Sequence, residues 1–305
     1  MTAISAASSQ STHRRARSRF VVTGLALAAL SIATVSGTAE AGIVATVPLA
    51  TSGSYSVLAG TTVTNTGPSV LGESLGVHPG TAVEGFPPGI VSAPGTIDAG
   101  GESSLIAQND LAIAYDNAAG RTVEFTQTNP DLVGQTLIPG VYAATAKAPL
   151  SLTGQLVLDG QNNASAVFIF QTDSTLITGS GSSIVLINGA SECNVFWQVG
   201  SSATLGSGSV FVGNILALTS ITVDSGVTVR GRALARNGAV TLINDTFVAP
   251  SCVPSAPATT TSQVPSTIVE IPATGGRTGS TSGVALALLA VGTGAVLIAR
   301  RRTHA

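Results

Sequence analysis

Three short segments, Ser202-Ala203-Thr204-Leu205, Ser220-Ile221-Thr222-Val223 and Ala239-Val240-Thr241-Leu242, recur at offsets of 18 and 19 residues, and this repeat restricts the fold more than any other feature of the chain. The stretches between them correspond as well, Asn214-Ile215-Leu216-Ala217 being answered by Arg232-Ala233-Leu234-Ala235. Three short strands joined by Gly-, Ser- or Asn-containing turns fill such a period, which is one coil of a three-sided β-solenoid. Upstream, Val167-Phe168-Ile169-Phe170-Gln171 resembles Asn194-Val195-Phe196-Trp197-Gln198 at an offset near 27, so the solenoid is expected to be irregular, with a longer loop in that coil. The competing fold is a two-sheet sandwich, which also uses short strands and frequent turns.

The repeat lies largely within a run of thirty residues, Asn194 to Val223, that contains no charged side chain. Apolar residues alternate there with small hydroxylated ones, a period of two that marks strands with one buried face. If Leu205, Ile221, Val223, Val240 and Leu242 point inward, then Ser202, Thr204, Ser220, Thr222 and Thr241 point outward. Stacked coils lie about 4.7–4.9 Å apart, so Thr204, Thr222 and Thr241 form a ladder at that spacing. Outward Ser and Thr are also the ordinary surface of an exported solenoid. One helical pattern interrupts the strands, Glu102 to Ala119, with Leu105, Ala112 and Tyr115 on one face and Ile106 and Ile113 beside them. Glu102 favours its start and Gly120 its stop. Packed against the solenoid, this helix would cover an apolar side.

The chain ends indicate where the domain works. Arg14, Arg15, Arg17 and Arg19 precede an apolar stretch, Phe20 to Val35, and then Ala39-Glu40-Ala41, the layout of a secretory signal occupying residues 1–41. An uncleaved membrane anchor is the alternative. At the other end, Ile271-Pro272-Ala273-Thr274-Gly275 precedes an apolar segment, Gly283 to Ala299, and a positive tail, 300–305, led by Arg300-Arg301-Arg302. This order resembles the cell-wall sorting signal of Gram-positive bacteria, with Ile271 in place of the usual Leu. The resemblance implies that a sortase cuts after Thr274 and joins it to peptidoglycan, the apolar segment holding the chain in the membrane until then. A plain C-terminal membrane anchor uses the same segment. Either way the domain is expected outside the cell.

Between Gly42 and Thr274 fourteen acidic residues face five basic ones, Arg121, Lys147, Arg230, Arg232 and Arg236, a net charge of −9. That balance excludes nucleic acid as a partner, because phosphate neutralisation needs clustered Lys or Arg. The two cysteines, Cys193 and Cys252, form an even count in an exported chain and are expected to be disulfide-bonded. Such a bond closes a loop of about sixty residues and contributes roughly 4 kcal/mol in the loop-entropy account. His78, beside Pro79 and Gly80, has no ligand-like partner near it, and neither a metal nor another cofactor is expected. Residues 253–270 are rich in Pro, Thr and Ser and read as an extended stalk. One domain remains, residues 47–250, long enough for a substantial core.

The strings TTVTNTGPSV, GVHPGTAVEGFPPG, LAIAYDNAAGR, CNVFWQVGSSATLGSGSVFVGNILALTSITV and GRALARNGAVTLINDT resemble the microbial ice-binding-protein family over about Val47 to Pro250. The resemblance implies a mainly β fold, a discontinuous β-solenoid with one α-helix alongside, and ice as the partner. Strong binders of that family carry Thr-(Ala/Gly)-x-(Thr/Asn) on one flat face. This chain departs from that pattern, with Thr66-Gly67-Pro68-Ser69 and Ser202-Ala203-Thr204-Leu205 as near matches. A polysaccharide-cleaving solenoid would need acids and bases gathered on neighbouring coils, whereas Glu192, Asp224 and Asp245 fall mostly at turns. The expected function is therefore binding and not catalysis. An adhesin of the same fold for a polysaccharide or host surface is the alternative.

Overall fold

The computed structural model describes residues 44–252. Their strands stack in parallel coils and form one seven-stranded and one fifteen-stranded sheet. The small sheet makes one side of the solenoid, and the large sheet turns a corner to make the other two. That corner is visible in the strands Val210–Ala217 and Thr228–Ala235, which pair residue by residue along their whole length. Their first residues align with Ser183–Ile187 and Thr246–Val248, and their last with Val195–Val199 and Tyr55–Ala59. Gly213 and Gly231 sit opposite one another at the bend with φ of 111° and 149°. A Cβ on Gly231 would stand 1.9 Å from the carbonyl oxygen of Gly213, so only glycine allows the two coils to stack there. The solenoid expected from the repeat is therefore present, and the two-sheet sandwich is not.

The irregularity of the repeat has a definite place. Phe168–Thr172 and Val195–Val199 are in register despite their offset of 27, while Phe196 aligns with Asn214 at an offset of 18. The extra residues of the longer coil include Asn188–Asn194, at the vertex where later coils simply turn through glycine. Cys193 lies in that loop and is bonded to Cys252, with a Cα–Cα distance of 5.5 Å. The C-terminal end of the domain is thus fastened to the middle of the stack, as the cysteine count suggested.

Spatial order departs from chain order at one seam. Val240–Ile243 and Thr246–Val248, the last strands of the domain, pair with Thr62–Thr66 and Val70–Leu71 near its beginning. The N-terminal coils thus lie beyond the C-terminal ones. The helix Glu102–Ala119 follows those N-terminal coils, and the strand Phe125–Gln127 at the opposite edge of the stack comes next. At about 1.5 Å per residue the helix spans roughly 27 Å of that distance. Asp98 accepts the Ser104 amide at its start, and the Gln171 side chain donates to the carbonyls of Ala118 and Arg121 at its end. The free edge at the N-terminal coils carries Pro79, Pro87, Pro88 and Pro94, which have no N–H to offer an approaching strand.

Two apolar clusters hold these parts together. Inside the solenoid Tyr142, Phe170, Trp197 and Phe211 follow one another behind the exposed Phe125 at the edge of the stack, with successive ring centroids from Phe125 onward 4.8, 5.4, 4.0 and 5.3 Å apart. Aliphatic residues from every side complete that core. Outside, the helix packs Ala107, Leu111, Ala114, Tyr115 and Ala118 on Val141, Ile169, Phe196, Leu216, Leu234 and Leu58. The helix therefore stands where the sequence placed it but is turned about its axis. Of the expected face only Tyr115 is buried; Leu105, Ile106 and Ile113 are exposed by 39%, 44% and 62%. The sheet presents large residues here, and alanines let the backbone approach them, whereas branched isoleucines would hold it away. Gly120 ends the helix in a right-handed conformation, φ −79°, and not the left-handed one expected of a glycine stop.

Candidate functional site

The seven-stranded side is built from strands of three to five residues whose inward positions are apolar except at Thr178 and Asn65. Ala203 and Leu205, Ile221 and Val223, and Val240 and Leu242 are buried, while Thr204, Thr222 and Thr241 between them are half-buried and face out. Thr204 aligns with Thr222 and Thr222 with Thr241, so the expected ladder exists. Its spacing is that of the sheet, about 4.7–4.9 Å.

The structure lengthens this row. Across the seam Thr64 aligns with Thr241, and the two hydroxyls are 3.3 Å apart. Thr66, exposed, stands beside Ile243, and Thr62 beside Ala82 in the next coil. The strand Thr62–Thr66 carries the alternation Thr-Val-Thr-Asn-Thr, a period-two signal legible in the sequence, but nothing local says that it lies next to Thr241, 177 residues away. In the other direction the row continues through Ile177, 51% exposed, and Ser151. Asp131 and Glu84 stand at its two ends. Burial works to raise the Asp131 carboxyl, but hydrogen bonds from Thr153 and Val133 outweigh it and hold the group below the usual aspartate range.

Ser202 and Ser220 lie at the margin of the row and are used differently from the threonines. The Ser202 hydroxyl shares a 3.0 Å hydrogen bond with that of Thr219 and accepts the Ser220 amide, and the Ser220 hydroxyl accepts the Ala239 amide. Each serine thus ties its coil to the next at the turn while remaining half-buried on the outer side. A turn needs partners for its backbone N–H groups, and a nearby serine provides them.

The row carries charge only at its ends, at Asp131 and at Glu84, which stands beside Thr64. The ion pairs Arg230–Glu192, Arg232–Glu73, Arg236–Asp116 and Lys147–Asp173 all involve residues outside the row. No group of three or more His, Cys, Asp or Glu that could hold a metal occurs among the described residues. None of their helices is long and apolar enough to cross a membrane, and the sorting motif and the apolar segment 283–299 lie outside them. What this side offers a ligand is hydroxyl and methyl groups at one repeat distance on paired strands.

Residues 57–248 match the family model described as Ice-binding-like. An ice-binding protein of Nostoc sp. (strain HG1) is 53% identical over 195 residues, 64% of this chain and 71% of that one. An ice-binding protein of Flavobacterium frigoris (strain PS1) is 32% identical over 222 residues, covering 67% and 76%. Among solved structures, an ice-binding protein from an Antarctic biological consortium superposes with a TM-score of 0.64 at 40% identity over 67% of this chain and 91% of its own. One from the Antarctic ascomycete Antarctomyces psychrotrophicus superposes at 0.65 with 36% identity, covering 68% and 100%.

Proposed function

The chain belongs to the Ice-binding-like family, and from that premise we propose that it binds ice through the side that carries Thr64, Thr204, Thr222 and Thr241. The observation that carries this reading is the row itself, four threonines in register on adjacent strands. Ice presents oxygen rows at comparable repeats, and each threonine has a hydroxyl and a methyl with which to hold ordered water. Many weak, matched contacts then add up, provided that nothing lifts the surface off the lattice. The protein acts as a binding protein and not as an enzyme, in keeping with the names of its relatives.

Bulk should therefore harm binding more than the loss of one hydroxyl. Thr222→Tyr, in the middle of the row, is expected to abolish crystal shaping and recrystallisation inhibition with an unchanged circular dichroism spectrum, and Thr222→Ser to do much less. If the wild type neither shapes nor coats ice, the polysaccharide or host-surface adhesin takes its place. If the wild type is active and Thr222→Tyr is harmless, the active surface is another side of the solenoid.

The second part of the proposal concerns location. Residues 1–41 export the protein, and the motif Ile271 to Gly275 lets a sortase join Thr274 to peptidoglycan, so the domain works at the cell surface on the stalk 253–270. Wall linkage that persists unchanged in a Thr274→Ala protein would overturn the sortase step, and wild-type protein found in the membrane and not on the wall would leave the plain membrane anchor.

A further inference from the structure

At every coil of the regular stack the chain itself sets the register, because one strand leads to the next through a short turn. At the seam it cannot, since Thr62–Thr66 reaches Val240–Ile243 only through space. Something else must decide where Thr64 stands. The inward row of this side reads Leu152, Thr178, Leu205, Val223 and Leu242, and then Asn65. Asn65 is 9% exposed, and its amide donates to the carbonyls of Gly67 and Gly85, both at 2.8 Å. Its carbonyl oxygen accepts the hydroxyl of the fully buried Ser69, which in turn accepts the backbone N–H of Asp245 at 2.9 Å. The Asp245 carboxylate, 1% exposed, accepts the amides of Val227 and Ile243. One bond of this set crosses between the two halves of the chain, from the Asp245 N–H to the Ser69 hydroxyl; Asn65 holds Ser69 on one side of it and the Asp245 carboxylate holds its own turn on the other.

We propose that Asn65, Ser69 and Asp245 are positioning residues that fix the register of the N-terminal coils and thereby place Thr64 in line with Thr241. Asn65 orients the Ser69 hydroxyl, and the Asp245 carboxylate, which holds the amides of Ile243 and Val227, fixes the turn whose N–H that hydroxyl accepts. Slipping the strand would part Ser69 from Asp245 and leave the Asp245 N–H without that partner in the core. The buried polar contact therefore gives the seam the specificity that chain connectivity gives elsewhere. The inference rests on the ice-binding reading of the threonine row for its functional consequence, though not for the lock itself.

The test is a pair of double-substitution cycles, with ice-recrystallisation inhibition as one readout and site-resolved amide exchange as the other. In the wild type Thr64→Tyr and Thr222→Tyr should each weaken activity. In the Ser69→Ala protein the further loss caused by Thr64→Tyr should shrink by about tenfold, because Thr64 is already out of line, while the loss caused by Thr222→Tyr should persist. The amides of Val63 to Thr66 should exchange about tenfold faster in Ser69→Ala, with those of Ala203 to Leu205 unchanged. Ser69→Cys, of similar size but a weaker donor, should give the same pattern in smaller measure and serves if Ser69→Ala does not fold. Equal losses from Thr64→Tyr in both backgrounds, or exchange that rises alike at Val63–Thr66 and Ala203–Leu205, would overturn the proposal. If neither tyrosine affects ice in the wild type, the threonine-side reading fails, and the exchange pattern alone decides for or against the lock.

Discussion

The threonine side and the helix side share one inward design and differ in what they turn outward. Both line the same core, the first with Leu205, Val223 and Leu242 and the second with Tyr142, Phe170 and Trp197. Outward, the helix side presents Val141, Ile169, Phe196, Leu216 and Leu234, and a helix covers them. Threonines stand in the equivalent places of the threonine side, and no element of the described structure packs over them. Large apolar residues in a row demand a partner within the chain, and the helix meets that demand. A row of threonines can remain in water and so is free to meet a ligand. The contrast predicts that the helix side tolerates no loss of volume, whereas the threonine side tolerates loss but not addition.

The largest effect expected from that contrast is on the helix side. Phe196→Ala, buried between helix and sheet, should lower unfolding free energy by about 4 kcal/mol, whereas Thr222→Tyr should change it by less than about 0.5 kcal/mol. Denaturant unfolding of the two proteins checks both, and equal losses would remove the distinction between the sides.

The next effect separates them by pH. Burial raises the Asp245 carboxyl to about 6, against the hydrogen bonds from Ile243, Val227 and Gly226 that favour its charged form. Its folded value lies above its unfolded one, so the folded state holds the proton more tightly. The stability this group contributes is full below about pH 4 and is lost as pH rises through about 6, at most about 3 kcal/mol. Melting temperature should therefore fall between pH 4.5 and 7 in the wild type, and the slope should flatten in Asp245→Asn. A wild-type profile that rises over that window would contradict the burial of a protonated carboxyl at the seam.

A smaller effect tests the observed rotation of the helix. Leu111→Ala, fully buried, should cost about 3 kcal/mol, and Ile113→Ala, which faces water, less than about 0.5 kcal/mol. Similar costs for both would favour the face expected from periodicity. The smallest change in stability, within about 0.5 kcal/mol, should come from Ile177→Thr. That exchange extends the row from four threonines to five, because Ile177 aligns with Thr204, and it should sharpen crystal shaping. Unchanged shaping would confine the active row to the coils from Ala203 onward.

The helix shows why one reading of periodicity succeeded and another did not. The strand period of two is unambiguous, because a residue facing the core and its neighbour facing water differ in kind, as Leu205 and Thr204 do. The helix Glu102–Ala119 carries apolar residues around most of its circumference, Ile106 and Ile113 included. Its buried face was then chosen by the partner surface, where Ala107, Ala114 and Ala118 let Leu111 and Tyr115 reach Phe196 and Ile169. Ser202 and Ser220 teach the same lesson at smaller scale. Alternation placed them outward with the threonines, and their hydroxyls accept the amides of Ser220 and Ala239 at the turns.

The sequence alone determined the coil, its period, the inward and outward sets of the regular strands, the presence of one helix and the pairing of Cys193 with Cys252. The pairing follows from there being two cysteines and the rest from local spacing, since a strand's two faces and a coil's length are written in consecutive residues. Only the tertiary structure decided that Thr64 stands beside Thr241, which face the helix buries, and that Asn65, Ser69 and Asp245 meet. Each of those depends on contacts between residues far apart in the chain, whose geometry is set by packing and by the need to satisfy buried polar groups, and neither is encoded in any single segment.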